Sequence, residues 1–473
     1  MKAQSSKLKA QSLAALLAVA AMATVSVEAA EKEPLKKDGK AKAAQKKAAP
    51  APAPVQPTTQ PIDLATALRL AGAQNLDVQI ARERVREAKA QHEQARQQFF
   101  PWVAPSIGYK RHDGNIQNVE GDVFDASKQS YALGVALNAQ VNLGEAIYKS
   151  LAAKQLARAA EEGAEARRQE MVFTAAAGYF ELVRAKAAGG VAQEALRISQ
   201  DYAGQVQRAV EAGIAFKGDV FRAQVQVEKN EMQLRHAREQ QRIVAARLAQ
   251  TLRLQPSVEL VPEEAELAPL ALLEKDIALD SLVVRAQAAR PELRQFSAQR
   301  SAAEAAKDGA RTGPLIPTVG AQVFLGGLGG GRNGDLGNFD DTQDYLLGLS
   351  WRIGPGGIGD RSRIRAADAR LQIGTLELDK ARDEVTRQVV EAHTRVQSLG
   401  DQLAMARRAL GNAEELLKLS RERKMFGVGA VLETIQAEQE LTRARNDYVS
   451  VVAQFNQAQY ALQRAVGTEA SAR

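Results

Sequence analysis

The sequence holds no cysteine in 473 residues. That excludes disulfides, thiolate metal sites, thiol catalysis and a lipid-modified cysteine behind a leader segment. Histidine is scarce as well. His92, His112, His236 and His393 lie far apart, with neither paired metal-ligand spacing nor a nucleophile–base arrangement. No residue cluster points to an enzyme, and no cofactor or metal is expected. Proline is missing between Pro105 and Pro256 and again after Pro355, so long helices can run there uninterrupted. An excess of one charge is lacking too, once position is considered. The net charge is +7, but residues 1–30 carry +2 and residues 31–61 carry +4, leaving +1 for the rest. A nearly neutral body has no basic face for a phosphate backbone, which argues against nucleic acid as a partner.

What is present begins with an export signal. Lysines at positions 2, 7 and 9 precede the apolar run Leu13–Val27, and Val27 and Ala29 stand suitably for cleavage. Residues 1–29 therefore read as a signal peptide; the apolar run is short of the roughly 20 residues that a membrane-spanning helix needs. Residues 30–61 pass from Lys/Ala repeats into Ala-Pro-Ala-Pro, a composition that buries too little apolar surface to fold. They read as a flexible linker.

The body is duplicated. Gly213-Ile-Ala-Phe-Lys-Gly218-Asp219-Val-Phe-Arg-Ala223 corresponds to Gly427-Val-Gly429-Ala-Val-Leu-Glu433-Thr-Ile-Gln-Ala437, 214 positions later. Beyond each copy a seven-residue beat runs in register: Val220, Val227, Leu234, Gln241, Leu248 and Thr434, Leu441, Tyr448, Phe455, Leu462. Small or apolar companions correspond as well, Ala223, Ala237 and Val244 beside Ala437, Ala444 and Val451, with Asn230 the exception. Such a beat implies supercoiled helices. Residues 62–270 and 271–473 are the two repeats.

Stretches 148–212 and 363–426 are rich in Ala, Glu, Gln, Arg and Leu. They predict helices of roughly 60 residues, about 90 Å long, far beyond those of a globular domain. Between the helices the pattern switches to a period of two. Tyr131–Leu143 and Tyr345–Ile353 each put apolar residues on one face, with small and polar residues dominating the other, and Val103–Tyr109 and Thr318–Leu325 precede them as partners. Each repeat thus carries one strand pair, about 102–143 and about 317–353, with the pattern of a membrane β-barrel. His112–Asp125 and the glycine-rich run Gly326–Asp335 read as loops joining the strands of each pair. The run lacks the Lys-Ser/Thr ending of a phosphate-cradling loop, and Asp335, Asp340 and Asp341 lack the spacing of a calcium loop. Four strands cannot close a barrel and open edges cannot face lipid, so several copies must share one; three would give about 12 strands.

These features resemble the TolC-type outer-membrane efflux proteins. The resemblance spans Ile62 to Gly467 and is carried by Leu64-Ala-Thr-Ala-Leu68, Ala289-Arg-Pro-Glu-Leu293, the proline-led strand starts, the two Gly…Asp/Glu…Ala turns and Tyr460-Ala-Leu-Gln-Arg-Ala-Val-Gly467. It implies a mainly α protein with a membrane β portion, a homotrimer whose barrel continues as a long α-helical coiled-coil barrel. It also implies a passive export duct in the outer membrane of a Gram-negative bacterium, extending into the periplasm. The expected partners are outer-membrane lipid, a periplasmic adaptor protein and an inner-membrane transporter. The other reading of the helices is a periplasmic coiled-coil adaptor without a pore, for which lipid-facing strands have no use.

By the same resemblance, Asp219 and Glu433 fall at the periplasmic pore entrance, and Gly213, Gly218, Gly427 and Gly429 at helix-tip turns that meet the adaptor. On local grounds each acid also suits the first turn of a helix, where it meets the positive dipole end. Some relatives carry a second acid three residues on, where this chain has Arg222 and Gln436, and a gating arginine where it has Gly429. The entrance network of those relatives is not carried over.

Overall fold

The computed structural model describes residues 58–255, 258–264, 267–272, 277–332, 337–425 and 431–468. The leader, nearly all of the linker, Gly427 and Gly429 lie outside the described residues. Two halves repeat one element order. The first runs β1 (Thr58–Ile62), α1 (Leu64–Gln74), α2 (Leu76–Gln97), β2 (Trp102–Gln117), β3 (Val123–Asn142), α3 (Leu143–Glu211) and α4 (Lys217–Thr251). The second runs β4 (Val258–Pro262), α5 (Leu279–Ala289), α6 (Pro291–Arg311), a 3-10 turn (Gly313–Leu315), β5 (Thr318–Arg332), β6 (Asp340–Ser350), α7 (Arg361–Met425) and α8 (Val431–Ala465).

Local chemistry sets the helix starts. Asp63 Oδ1 accepts from the Thr66 N–H at 3.2 Å, and Asn142 Oδ1 accepts from the Glu145 N–H at 3.1 Å. From Asn142 onward α3 continues for 69 residues, about 100 Å at helical rise. It packs along α2, α4, α6 and α8. The seven-residue beat marks the buried seam: Val220, Leu234 and Leu248 are covered in α4, and Thr434, Leu441, Phe455 and Leu462 in α8. Where helices of both halves meet, Tyr179, Leu182, Leu248, Leu252, Leu260 and Tyr460 form the most deeply buried core. Among the described residues no helix is long and apolar enough to cross a membrane.

Two sequence expectations need correction. Residues 58–61 belong to a strand rather than to the linker: β1 pairs in parallel with β4, Thr58 with Val258 through Ile62 with Pro262. Its Pro61 mimics a linker, but a short two-stranded sheet has only edge strands, and these tolerate a missing N–H. Since β4 opens the second half as β1 opens the first, the structural repeat begins at Val258, ahead of residue 271.

The second correction concerns the loops. The four-stranded sheet has the order β2-β3-β5-β6, antiparallel throughout. His112–Gln117 and Val123–Asp125 continue strands β2 and β3, and Gly326–Arg332 continue β5. The glycines are strand residues because aromatic rings lie on them. A Cβ on Gly327 would strike the Phe339 ring, and one on Gly329 would sit 2.6 Å from Tyr131 Cζ. The Tyr131 and Phe339 rings stack with centroids 5.5 Å apart.

Register sorts the sheet into two faces. Val103, Ile107 and Tyr109 share one face with Tyr131, Leu133, Val135, Leu137, Val323, Leu325, Tyr345, Leu347 and Leu349. Ser106, Asn138, Gln140, Gln322, Thr342 and Asp344 lie on the other, together with several alanines and glycines and the larger Trp102, Phe324, Leu328 and Leu346. From Tyr131 to Val141, about ten steps of ~3.3 Å at a tilt of roughly 40° give an apolar band near 25 Å tall, the height of a barrel's lipid belt. Above Tyr109 and Tyr131 the same face turns polar, with Arg111 paired to Asp113 at 2.7 Å.

Candidate functional site: the helix-hairpin tips

Helix α3 ends at Gly213, whose φ of +70° suits glycine. The Gly213 N–H donates to the Val210 carbonyl at 3.0 Å and the Ile214 N–H to Ala209 at 2.8 Å, closing a Schellman end. Gly218 sits in the first turn of α4 because the Phe216 ring folds over it; a Cβ there would lie 2.5 Å from the ring. The turn leaves Ile214 and Phe216 83% and 73% exposed, two large apolar side chains held in water at the hairpin tip. Sequence reasoning passed over both.

Asp219 lies in the first turn of α4 and Glu433 in the first turn of α8, as their helix-start reading expects. Neither is a free carboxylate. Asp219 Oδ1 accepts from Arg222 Nη1 at 2.9 Å, and Glu433 Oε1 accepts from Arg423 Nη1 of α7 at 2.8 Å. Each hairpin therefore pairs its own acid with its own arginine.

The structure joins the two hairpins through residues that sequence reasoning did not single out. Tyr202 of α3 is buried against Val206, Val220 and Ile435. Lys424 of α7 reaches it from the other hairpin, its Nζ donating to the Tyr202 hydroxyl at 2.6 Å while standing 3.9 Å from the ring centroid. Burial pushes the Lys424 ammonium below the usual lysine range, against the opposing pull of Asp219 and Glu438. The Tyr202 phenol is pushed up, chiefly by burial.

One step further from the tips, Gln439 Nε2 of α8 donates to Gln226 Oε1 of α4 at 2.7 Å. Gln226 in turn donates to Asn230 at 3.0 Å, and Asn230 to the Ala195 carbonyl at 3.1 Å. Beside this chain the Glu438 carboxyl is buried, with Arg421 3.4 Å away. Burial raises its pKa above the ordinary carboxylate range, and Arg421 and Lys424 oppose the rise. The signal for this network was Asn230, the one polar residue at a position the duplication otherwise fills with small or apolar side chains.

A duplicated helical body, two long helix pairs joined by side-chain bonds near their ends and a sheet apolar on one face together define an outer-membrane export channel with a periplasmic helical extension. The comparisons agree. The outer membrane efflux protein family matches residues 67–252 and 282–468, and the chain belongs to that family. Protein CyaE of Bordetella pertussis is 26% identical over 398 residues, covering 81% of this chain and 79% of its own. A membrane protein from Pseudomonas aeruginosa superposes with a TM-score of 0.73 at 21% identity, over 85% of this chain and 93% of that one. The CmeC outer-membrane channel of Campylobacter jejuni gives 0.72 at 17% identity, over 85% of each chain.

Proposed function

We propose that three copies of the chain close one barrel of about 12 strands and continue it as a helical duct, so that cargo crosses periplasm and outer membrane in one lumen. The observation that carries this reading is the sheet. One face is apolar over a lipid-belt height in β2, β3 and β5, with Gln343 and Asp341 of β6 its polar exceptions, and the outermost strands, β2 and β6, each have a hydrogen-bonded neighbour on one side alone. Such edges cannot remain open in hydrocarbon. Pairing β6 of one copy with β2 of the next removes every edge.

The hairpin tips form the periplasmic end in this reading. Ile214 and Phe216 are apolar anchors of the kind a partner protein covers, which fits a periplasmic adaptor docking at the turns around Gly213, Gly218, Gly427 and Gly429. Asp219 and Glu433 stand at the entrance, and the inner-membrane transporter supplies the energy. Full-length protein purified in detergent is expected to run as a trimer and to conduct ions in planar bilayers; a water-soluble monomer after signal removal overturns the reading.

A further inference from the structure

The register places the basic side chains of the sheet in a pattern that the export function does not require. His112 of β2 pairs with Lys128 of β3, and Lys128 pairs with Arg332 of β5, so three basic residues stand side by side across three strands. Neighbouring strands are about 4.8 Å apart, and like charges directly opposite each other destabilise a sheet. Lys110 adds a fourth on the same face, one row further in, opposite Ser130. All four lie on the face opposite Tyr109, Tyr131 and Leu133. If the apolar face meets lipid, they line the lumen just outside the aromatic belt.

Among the described residues, no ion pair involves Lys110, Lys128 or Arg332, and the His112 Nε2 is covered without a hydrogen-bond partner. The acids sharing this face, Asp340 and Asp344, pair with Leu328 and Phe324, in rows nearer the periplasm. Arg111, by contrast, points to the lipid side and is matched by Asp113. The outer face thus matches its one arginine and otherwise carries acids, Asp125 and Asp341, whereas the cluster of positive charge stands on the inner face, while both candidate entrance acids are already paired to arginines.

We propose that Lys110, His112, Lys128 and Arg332 form, in three copies around the outer mouth, an anion-binding ring that takes multiply charged anions, phosphate- or carboxylate-bearing cargo among them, as they leave the duct. The ring rests on the barrel reading above. A barrel wall of low dielectric focuses the field of such a ring and concentrates counter-ions within the mouth. Phosphates of lipid headgroups cannot supply the ligand, because the apolar face separates them from this side of the sheet.

The test uses the full chain in planar bilayers, with inorganic tripolyphosphate added to the side on which the β2–β3 and β5–β6 connections emerge. Wild type is expected to be blocked from that side. Raising salt from about 0.1 to 1 M shortens the screening length from about 10 to 3 Å and should relieve the block. The double variant Lys128→Gln, Arg332→Gln should weaken it by about tenfold, and Arg111→Gln should leave it unchanged. Conducting channels whose block ignores salt, or is weakened equally by Arg111→Gln, overturn the ring alone. A wild-type chain that never conducts overturns the duct reading, and the ring with it.

Discussion

Tyr202→Phe isolates the link between the two hairpins. The Tyr202 ring is buried where α3, α4 and α8 meet, and its hydroxyl accepts from Lys424 at 2.6 Å. The substitution keeps the ring, its apolar neighbours and the ammonium 3.9 Å from the ring centroid. It removes the 3.4 Å bond that the hydroxyl donates to the Val431 carbonyl and the bond from the charged donor Lys424, the latter worth about 1.5–3 kcal/mol. Lys424→Met removes that bond and the cation–ring attraction, the latter worth about 0.5–2 kcal/mol. It also removes a charge that burial disfavours, because desolvation is the largest influence on Lys424. The two contributions oppose each other, so Lys424→Met should cost under about 1 kcal/mol while Tyr202→Phe costs about 2. Hydrogen exchange of the first turns of α4 and α8, in full-length protein in detergent, reads the difference. Opening should rise roughly 30-fold in Tyr202→Phe and less than about fivefold in Lys424→Met. Unchanged exchange in Tyr202→Phe, or a larger effect from Lys424→Met, refutes the reasoning.

Other substitutions test other parts of the molecule. Asp219→Asn combined with Glu433→Gln should lower cation preference in single-channel recordings, by no more than about twofold since Arg222 and Arg423 already pair the acids; unaltered ion selectivity would remove both from the entrance. Glu438→Gln should raise the thermal midpoint near pH 7.5 and leave it unchanged near pH 4. The sign follows from the raised pKa of Glu438: the native chain holds this proton more tightly than the unfolded one, so the penalty is absent below the ordinary carboxylate range and grows as pH rises through the raised value. Gly329→Val should push a side chain into the Tyr131 ring and destabilise the sheet by about 1–3 kcal/mol, read as a lower unfolding midpoint.

Periodic features were legible in the sequence. The seven-residue beat gave the seam of α4 and α8, and the alternation in Tyr131–Leu143 and Tyr345–Ile353 gave the two faces of the sheet, because both periods are imposed by backbone geometry. The glycine run of β5 was not legible. Its strand conformation depends on Tyr131, from a different strand, and on Phe339, which lies just before β6. Nor was β1, whose partner β4 lies 200 residues away in register. The same limit applies to the hairpin tips. Asp219 and Glu433 could be placed because each repeats the other, whereas Lys424 and Tyr202 meet across 222 positions and have no counterpart motif. Arg222 stood out only as a departure from relatives, although its position three residues after Asp219 on one helix made their pairing foreseeable.

The central seam of the sheet, β3 against β5, has a consequence for assembly. It joins the strand pair of one half to that of the other within a single chain. In the proposed trimer the wall is a ring of six hairpins, and every second joint is made before subunits ever meet. Those joints form at the high effective concentration of a tether, so the collision between copies need supply only the remaining three. Gene duplication would thus have converted half of a barrel's assembly problem into a folding problem.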